Sequence, residues 1–317
     1  MTDVDSPSFP ALAFSVPSSG VTLAANRSGD PDGPTVVLVH GYPDDHHVWD
    51  RVVPLLDDHD VVTYDVRGTG GSSAPRDRAG YRVERLVDDL VAVLDAVRPD
   101  GGPVHLVGHD WGSVQLWAAV FAAGDDPRLK GRVASYVSIS GPDLRLYGAY
   151  LRTALRERRW RQLADQLTKS WYILAFQLPL VPELVIRRAT TRVRRTLTRS
   201  QGLTDHHWSG DFARNAANGL NLYRANAFRS ASAPLPSRTE VPVTLVVPTK
   251  DDFLSPSLYD GLSRHAPHHT RHELDAGHWV PWTRPDEVAA AVRATVSATA
   301  VGPSRAAREE GPRMSSE

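Results

Sequence analysis

The chain has 317 residues, of which 41% are hydrophobic, and its 36 basic residues nearly balance its 37 acidic ones. This length suffices for one large domain or for a core domain that carries an insertion. The near-zero net charge gives no reason to expect a nucleic-acid partner. The sequence contains no cysteine, which excludes disulfides, thiolate zinc sites and cysteine nucleophiles.

The N-terminal residues and the apolar runs indicate where the protein acts. Residues 1–10 include Asp3 and Asp5 and lack an apolar stretch, so we do not expect a signal peptide. No stretch approaches about 18 consecutive apolar residues, the length expected of a transmembrane helix. We therefore expect a soluble, cytoplasmic protein.

Short runs rich in Val, Leu and Ile predict buried parallel strands. Their positions are 35–39, 61–64, 104–107, 136–139, 243–247 and 270–274. The helical spacing of apolar residues predicts helices at 83–97, 111–123 and 285–298, and the last of these opens with the helix-start residues Pro285, Asp286 and Glu287. Alternating strands and helices predict an α/β fold with a parallel sheet.

A long segment without strand-like runs interrupts this alternation. Within residues 142–236 the pattern predicts four helices, at 146–161, 162–176, 183–198 and 210–228. We expect an all-helical lid inserted between two parts of an α/β core, 1–141 and 237–300. A disordered polar tail is predicted at 301–317.

The lid segment is basic and the remainder of the chain is acidic. Residues 142–236 hold 16 Arg or Lys against 6 Asp or Glu, and the rest holds 20 against 31. One explanation is attraction between lid and core, and the other is attraction to anionic lipid or an acidic substrate. The apolar positions of the Arg-rich lid helix would face either lipid or the core: Val185, Ile186, Val193 and Leu197.

The candidate nucleophile is Asp110, in the stretch VHLVGHDWGS. Gly108 and Gly112 flank it at the spacing of a nucleophile elbow, a sharp strand-to-helix turn that lifts the central side chain above the sheet. A carboxylate is ionised at neutral pH and can displace a leaving group at sp³ carbon, which suits epoxides and carbon–halogen bonds. The alternative is an ordinary helix N-cap, because Asp is common before helices.

Two later strand-end loops supply a candidate base and a candidate acid. His278 lies in LDAGHWVPW, where it would activate water to hydrolyse an ester. The stretch LVVPTKDDFLSP offers Asp251 or Asp252 to orient the imidazole, and we favour Asp251. The order of nucleophile, acid and base fits this arrangement. A structural histidine and an Asx turn are the alternatives.

The loop in VVLVHGYPDD offers an oxyanion site. His40 and Gly41 follow the predicted strand, and Tyr42 precedes Pro43. Backbone N–H groups of Tyr42 and Trp111 would stabilise a tetrahedral oxyanion, each by roughly 3 kcal/mol. The Tyr42–Pro43 bond is a candidate cis peptide. The alternative is a plain turn.

Together these motifs resemble the α/β-hydrolase fold, and specifically the epoxide hydrolases, over about residues 20–298. The resemblance is closest to bacterial epoxide hydrolases whose hydrolase part is sometimes fused to a short-chain dehydrogenase domain, and we expect no such domain in this chain. The matching motifs are His40-Gly41-Tyr42-Pro43, Gly108-His109-Asp110-Trp111-Gly112, Lys250-Asp251 with Pro256 behind it, and Gly277-His278-Trp279.

The resemblance also implies two lid tyrosines that hold and protonate the epoxide oxygen. A family pattern of Tyr followed by Phe-Gln-x-Pro appears as Tyr172 with Phe176-Gln177-Leu178-Pro179, and Asn-x-Tyr-Arg appears as Asn221-Leu222-Tyr223-Arg224. A phenol with a pKa of about 10 is suited to protonating an alkoxide leaving group. The alternative is that both rings only fill helical interfaces.

These assignments predict an epoxide hydrolase that makes a vicinal diol from an epoxide and water without a metal or organic cofactor. The alternatives are a haloalkane dehalogenase, which Asp110-Trp111 fits but Tyr42 does not, and a non-catalytic binding member of the fold. A homodimer and a peripheral membrane contact through the Arg-rich lid stay open. An apolar cavity for lipophilic epoxides is indicated by Leu178, Leu180, Val181, Trp208 and Phe212.

Two further patterns are interpreted as structural. RGTGGSS at 67–73 lacks the lysine of a phosphate-binding loop and predicts a turn. A histidine cluster without a carboxylate at ligand spacing predicts a solvated surface, at His265, His268, His269 and His272.

Overall fold

The computed structural model describes residues 12–300, which form one eight-stranded sheet with helices on both faces. The strands are β1 Leu12–Ser18, β2 Val21–Gly29, β3 Thr35–Val39, β4 Asp60–Tyr64, β5 Val104–His109, β6 Val133–Ile139, β7 Val243–Pro248 and β8 His269–Leu274. Their order across the sheet is β1-β2-β4-β3-β5-β6-β7-β8. The pairs β1–β2 and β2–β4 are antiparallel, and every pair from β4 to β8 is parallel.

The central strands separate two hydrophobic cores. Val37 and Val39 of β3 belong to one core, and Val36 and Leu38 belong to the other, as the alternation of side chains along a strand requires. Because β3 is buried on both faces, its sequence is a continuous apolar run. The helices are α1 Val83–Val97, α2 Trp111–Ala122, α3 Leu144–Arg156, α4 Trp160–Ala175, α5 Val181–Ser200, α6 Phe212–Ala231, α7 Val280–Thr283 and α8 Pro285–Ala300.

Helices α3–α6 lie between β6 and β7 in the chain, and we refer to them as the lid. The Asp143 carboxylate caps α3 by accepting the N–H groups of Arg145 at 2.8 Å and Leu146 at 3.2 Å, so the helix begins before the predicted residue 146. Arg158 has φ 56° and Leu180 has φ 64°, and these left-handed residues separate α3 from α4 and α4 from α5.

The α/β fold, its mostly parallel sheet and all six predicted strands are confirmed. The sequence analysis missed the two antiparallel strands β1 and β2. The predicted tail at 301–317 lies outside the described residues, as do Asp3 and Asp5. Among residues 12–300, no helix combines the length and the apolar character needed to cross a bilayer.

Candidate active site

Asp110 occupies the sharp turn between β5 and α2. Its backbone has φ 52° and ψ −121°, a conformation that is rare for residues with a side chain and that clusters at functional sites. Glycines permit the close approach of neighbouring backbone. A Cβ at Gly112 would overlap the carbonyl oxygen of Val39, and a Cβ at Gly108 would lie 2.7 Å from Ser113 Cα. The elbow therefore holds the Asp110 side chain at the carboxyl end of β5.

The Asp110 carboxylate has two polar neighbours from other loops. The backbone N–H of Tyr42 donates to Oδ1 at 2.7 Å, and His278 Nε2 lies 3.5 Å from Oδ2. The absence of a side chain at Gly41 leaves space for the Asp110 side chain, because a Cβ at position 41 would overlap Asp110 Cβ. The side chain of Asp110 keeps 15% of its exposure, whereas that of His278 keeps 2%. The carboxylate thus presents one open side.

His278 is held by Asp251 rather than by Asp252. Asp251 Oδ2 lies 2.9 Å from His278 Nδ1. Asp251 Oδ1 accepts the backbone N–H groups of Phe253 at 2.7 Å and Leu254 at 3.1 Å, which fixes the carboxylate. Among the described residues Asp252 makes no hydrogen bond to the imidazole, and its Oδ2 accepts one from Gln201 at 2.7 Å. The three side chains Asp110, His278 and Asp251 form one connected row.

The electrostatics of this row favour a charged imidazole. Burial by itself lowers the pKa of His278, but the carboxylates of Asp251 and Asp110 more than offset it and raise that pKa to about 10. Burial likewise raises the pKa of Asp251, and the attraction of His278 together with hydrogen bonds holds it below its usual range. The raised pKa therefore favours the imidazolium form of His278 at neutral pH.

Tyr172 of α4 and Tyr223 of α6 reach the same site from the lid. Their ring centroids lie 5.8 Å apart, and Tyr223 also packs edge-on against Trp111 at 5.0 Å and Tyr42 at 5.3 Å. Burial is the largest cause that raises the pKa of both phenols well above 10, and the nearby Asp110 carboxylate adds to it. Both phenols are therefore protonated at neutral pH.

Asp110, His278, Tyr172 and Tyr223 all line one cavity of about 620 Å³. Its remaining wall is mostly apolar and comes from α4, α5 and the start of α6. Leu178, Val181 and Phe212 line it as predicted, but Leu180 and Trp208 do not, because Leu180 points into solvent and Trp208 packs in the core beneath the lid. The Arg-rich helix α5 contributes the apolar residues Val185, Ile186, Val193 and Leu197.

Comparison with known proteins identifies the fold and the family. A sequence profile of the α/β-hydrolase fold matches residues 34–285. Epoxide hydrolase A of Mycobacterium tuberculosis (strain ATCC 25618 / H37Rv) is 30% identical over 320 residues, which cover 87% of this chain and 94% of that protein. This chain belongs to the epoxide hydrolase family of the α/β-hydrolase fold. The predicted resemblance is therefore confirmed.

Other relatives extend the comparison. "Probable oxidoreductase EphD" of the same Mycobacterium strain is 39% identical over 285 residues, which cover 86% of this epoxide hydrolase family member but 47% of EphD. The chain thus spans about half the length of that relative. The crystal structure of Bacillus megaterium epoxide hydrolase in complex with an inhibitor superposes with a TM-score of 0.75 over 90% of this chain and 100% of that one, at 22% identity, which supports the fold.

The loop after β3 holds the family motif in place. His40 Nε2 accepts the backbone N–H of Val66 at 2.9 Å, so the imidazole fastens two strand-end loops rather than facing the cavity. The Tyr42–Pro43 peptide is cis. Trp111 is the first residue of α2, and an N–H in the first turn of a helix has no partner within the helix. The amides of Tyr42 and Trp111 thus flank Asp110.

A buried carboxylate that contacts Trp279, the residue after His278, was not predicted from the sequence. The Asp44 carboxylate lies 2.8 Å from His207 Nε2 of the lid and accepts the indole N–H of Trp279 at 2.8 Å. The motif in this loop singles out His40 to Pro43 and assigns no role to Asp44. Its position directly after Pro43 was the available signal, since a buried carboxylate at the end of a strand needs partners.

A second missed contact joins α4 to the loop that carries Asp251. Gln166 is fully buried, donates to the carbonyl of Phe253 at 3.0 Å and accepts the N–H of Ser255 at 2.9 Å. Lys169, one turn later, donates to the carbonyl of Asp251 at 2.7 Å. No local pattern marks these contacts, because they join residues more than 80 positions apart.

The remaining polar clusters are engaged in structural contacts. Arg67, in the glycine-rich stretch, forms a buried two-pronged ion pair with Asp89 at 2.6 Å for each bond. Asp45, His46 and His47 bring three ligand atoms within 4.8 Å of one another, a spacing that could hold a metal ion. Both imidazoles are, however, already bonded to carboxylates, at 2.7 and 2.8 Å.

Proposed function

We propose that this chain is an epoxide hydrolase that converts an epoxide and water to a vicinal diol through an alkyl-enzyme ester on Asp110. The observation that carries the proposal is the common cavity. A carboxylate with one open side, an imidazole paired with a second carboxylate and two protonated lid phenols all face it. Each of these groups has a separate task in a two-step hydrolysis.

In the first step Asp110 attacks an epoxide carbon. A carboxylate oxygen forms the new C–O bond while the ring C–O bond breaks, and the ring oxygen takes a proton from Tyr172 or Tyr223. An alkoxide is a poor leaving group, so a positioned proton donor contributes about 10²–10⁴ in rate. The raised pKa of both phenols keeps these proton donors protonated at neutral pH.

In the second step His278 first gives its proton to the phenolate left by the ring opening, and the neutral imidazole then takes a proton from a water molecule that attacks the ester carbonyl of Asp110. The acyl C–O bond breaks, the imidazolium protonates the leaving alkoxide to release the diol, and the proton of the new carboxylic acid returns to His278. Ester formation removes the negative charge of Asp110, one of the two charges that raise the pKa of His278. The imidazolium therefore becomes easier to deprotonate when a base is needed. Asp251 orients the ring and stabilises the imidazolium that forms. The N–H groups of Tyr42 and Trp111 stabilise the tetrahedral oxyanion.

The cavity wall favours lipophilic epoxides. Its apolar residues come mostly from the lid helices α4 and α5 and the start of α6, and several of them, such as Leu178 and Val181, are exposed. Every step of the proposed reaction uses side chains, backbone N–H groups and water, and we assign no metal or organic cofactor a part in it. The substrate and water are the partners that this chemistry requires.

Intact-mass measurement of the His278→Gln variant tests the proposal. The variant is incubated with aryl and long-chain epoxides and with one chloroalkane, and Asp110→Asn serves as the control. A mass gain equal to the whole epoxide, absent from the control, is the expected result. A gain equal to the alkyl group alone, from the chloroalkane only, would instead indicate a dehalogenase. No adduct from any compound would favour a non-catalytic binding protein.

A further inference from the structure

One face of α4 is apolar and exposed. Trp160, Leu167, Trp171 and Leu174 recur at helical spacing, and their exposed fractions are 57%, 51%, 66% and 64%. A separate face of the helix is buried, as Gln166 and Ser170 show with exposed fractions of 0% and 8%. In a helix that covers a core, the apolar side is expected to face inward, so α4 has a second apolar face that nothing in the described chain covers.

The exposed apolar surface continues through the turn between α4 and α5. Four of its exposed members also line the wall of the active-site cavity, so the surface is continuous with that wall: Trp171, Leu178, Val181 and Val185. Leu180, at 78%, and Leu184, at 47%, extend it on the outside. We call these residues, together with the α4 face, the lid patch. An exposed apolar surface of this extent marks a binding surface.

Arginines surround the lid patch. Along α5, Arg188, Arg192 and Arg195 follow Leu184 at helical spacing and are exposed. Between residues 152 and 200, ten arginines are exposed against two carboxylates, those of Glu157 and Asp165. Two copies of this face would repel each other, which disfavours a symmetric dimer. Anionic lipid complements both properties, since it takes up apolar side chains and attracts the arginines.

Four apolar residues of α5 were predicted to face either lipid or the core: Val185, Ile186, Val193 and Leu197. Ile186 is buried, and Val193 and Leu197 are half-buried against the core. Only Val185 is exposed. Beyond Val185 the apolar side of α5 therefore faces the core and the cavity, and the exposed apolar surface lies instead on α4, in the turn after it and at the start of α5.

We propose that the lid patch docks on the surface of an anionic lipid bilayer. The exposed Trp and Leu side chains would enter the interface, and the arginines around them would contact lipid phosphates. The cavity opening would then face the bilayer. Docking itself is independent of the reaction proposed above, whereas delivery of a lipophilic substrate from the bilayer rests on it.

Vesicle sedimentation of the full chain tests the docking. The vesicles contain phosphatidylcholine alone or with phosphatidylglycerol, and thermal unfolding verifies that each variant is folded. The apolar variant is Trp160→Ser with Leu167→Ser and Leu174→Ser, none of which lines the catalytic cavity. The charge variant is Arg188→Gln with Arg192→Gln and Arg195→Gln. A charge-matched control removes three exposed arginines outside the lid: Arg76→Gln, Arg78→Gln and Arg264→Gln.

The wild-type chain is expected to sediment with the anionic vesicles, and less so at high salt. The charge variant should lower partitioning by about 100-fold, the apolar variant by about tenfold or more, and the control should match the wild type. Three results would overturn the proposal. These are no binding of the wild type to anionic vesicles, an equal loss in the control, or a dimer by light scattering that the apolar variant dissociates.

Discussion

At the scale of single residues, the phenols of Tyr172 and Tyr223 carry a direct prediction. Each Tyr→Phe change removes one proton donor and leaves the ring packing intact. We expect ester formation to slow by about 10- to 100-fold in each variant and by more in the double variant. Ester hydrolysis, which uses His278, should keep its rate. Single-turnover kinetics with rapid quench separates the two steps.

Tyr150→Phe is the matched control for these variants. Tyr150 bonds to Ser257 at 2.7 Å and does not line the catalytic cavity, so its loss should leave both steps unchanged. Slower hydrolysis with unchanged ester formation in Tyr172→Phe and Tyr223→Phe would contradict the donor role.

The pKa of His278 predicts how ester hydrolysis depends on pH. In the proposed reaction hydrolysis needs the neutral imidazole, so its rate should rise with pH and level off above the pKa of the alkyl-enzyme. That pKa should lie below the value of about 10 in the free protein, because the charge of Asp110 is gone. Asp251→Asn should lower it further. A single-turnover rate that falls with rising pH would contradict this role.

The same group links folding stability to pH. The pKa of His278 is raised in the folded chain to about 10, above about 6.5 in the unfolded chain. Its contribution is therefore complete below about pH 6.5 and is lost as the pH rises through about 10. Chemical denaturation of wild type and His278→Gln should show a difference in unfolding free energy that shrinks over this range. A constant difference would mean that His278 is uncharged when folded.

At the scale of elements, helix α4 couples the lid to the loop that carries Asp251. Gln166→Leu leaves the carbonyl of Phe253 and the N–H of Ser255 buried without a partner. We expect a loss of about 2–4 kcal/mol in unfolding free energy, measured by chemical denaturation. Gln162→Leu is the matched control, because Gln162 Oε1 has no hydrogen-bond partner in the described chain. An equal loss of unfolding free energy in both variants would mean that the hydrogen bonds of Gln166 to Phe253 and Ser255 do not stabilise the fold.

The elements that the sequence predicts best are those whose burial is uniform. Strand β3 is buried along its length and shows a continuous apolar run, so the pattern located it. Strands β1 and β2 were missed because they are antiparallel and partly exposed, and neither contains a continuous run of Val, Leu or Ile. The start of α3 was misplaced because its position depends on the cap at Asp143, which hydrophobic spacing does not reveal.

At the scale of the whole molecule, the cavity between lid and core predicts selectivity for substrate size. Each methylene that moves from water to the apolar wall is worth about 0.8 kcal/mol, or roughly a fourfold gain in kcat/KM. Terminal epoxides of increasing chain length should therefore show a stepwise rise until the cavity is full. Steady-state kinetics measures this series, and a preference for the shortest member would contradict a lipophilic substrate.

The whole-molecule arrangement of the site was only partly accessible from sequence. Motif order placed Asp110, His278 and Asp251 at strand ends, because parallel strands end at one edge of the sheet. The sequence favoured Asp251 and left Asp252 open, and the contact of Asp251 with His278 depends on the direction in which neighbouring loop residues point. The contacts of Asp44 with His207 and of Gln166 with Phe253 depend on how the lid packs on the core, and no local pattern encodes that packing.

Gly41, beside Asp110, occupies a position that tolerates no side chain, whereas the apolar wall of the cavity offers positions that can vary. Any side chain at Gly41 would collide with Asp110, so this position cannot vary whatever substrate the protein handles. Leu178, Val181 and Val185 line the opposite wall and are open to solvent. New substrate ranges should therefore arise, in evolution or in directed selection, through the α4–α5 region while the chemistry beneath it stays constant.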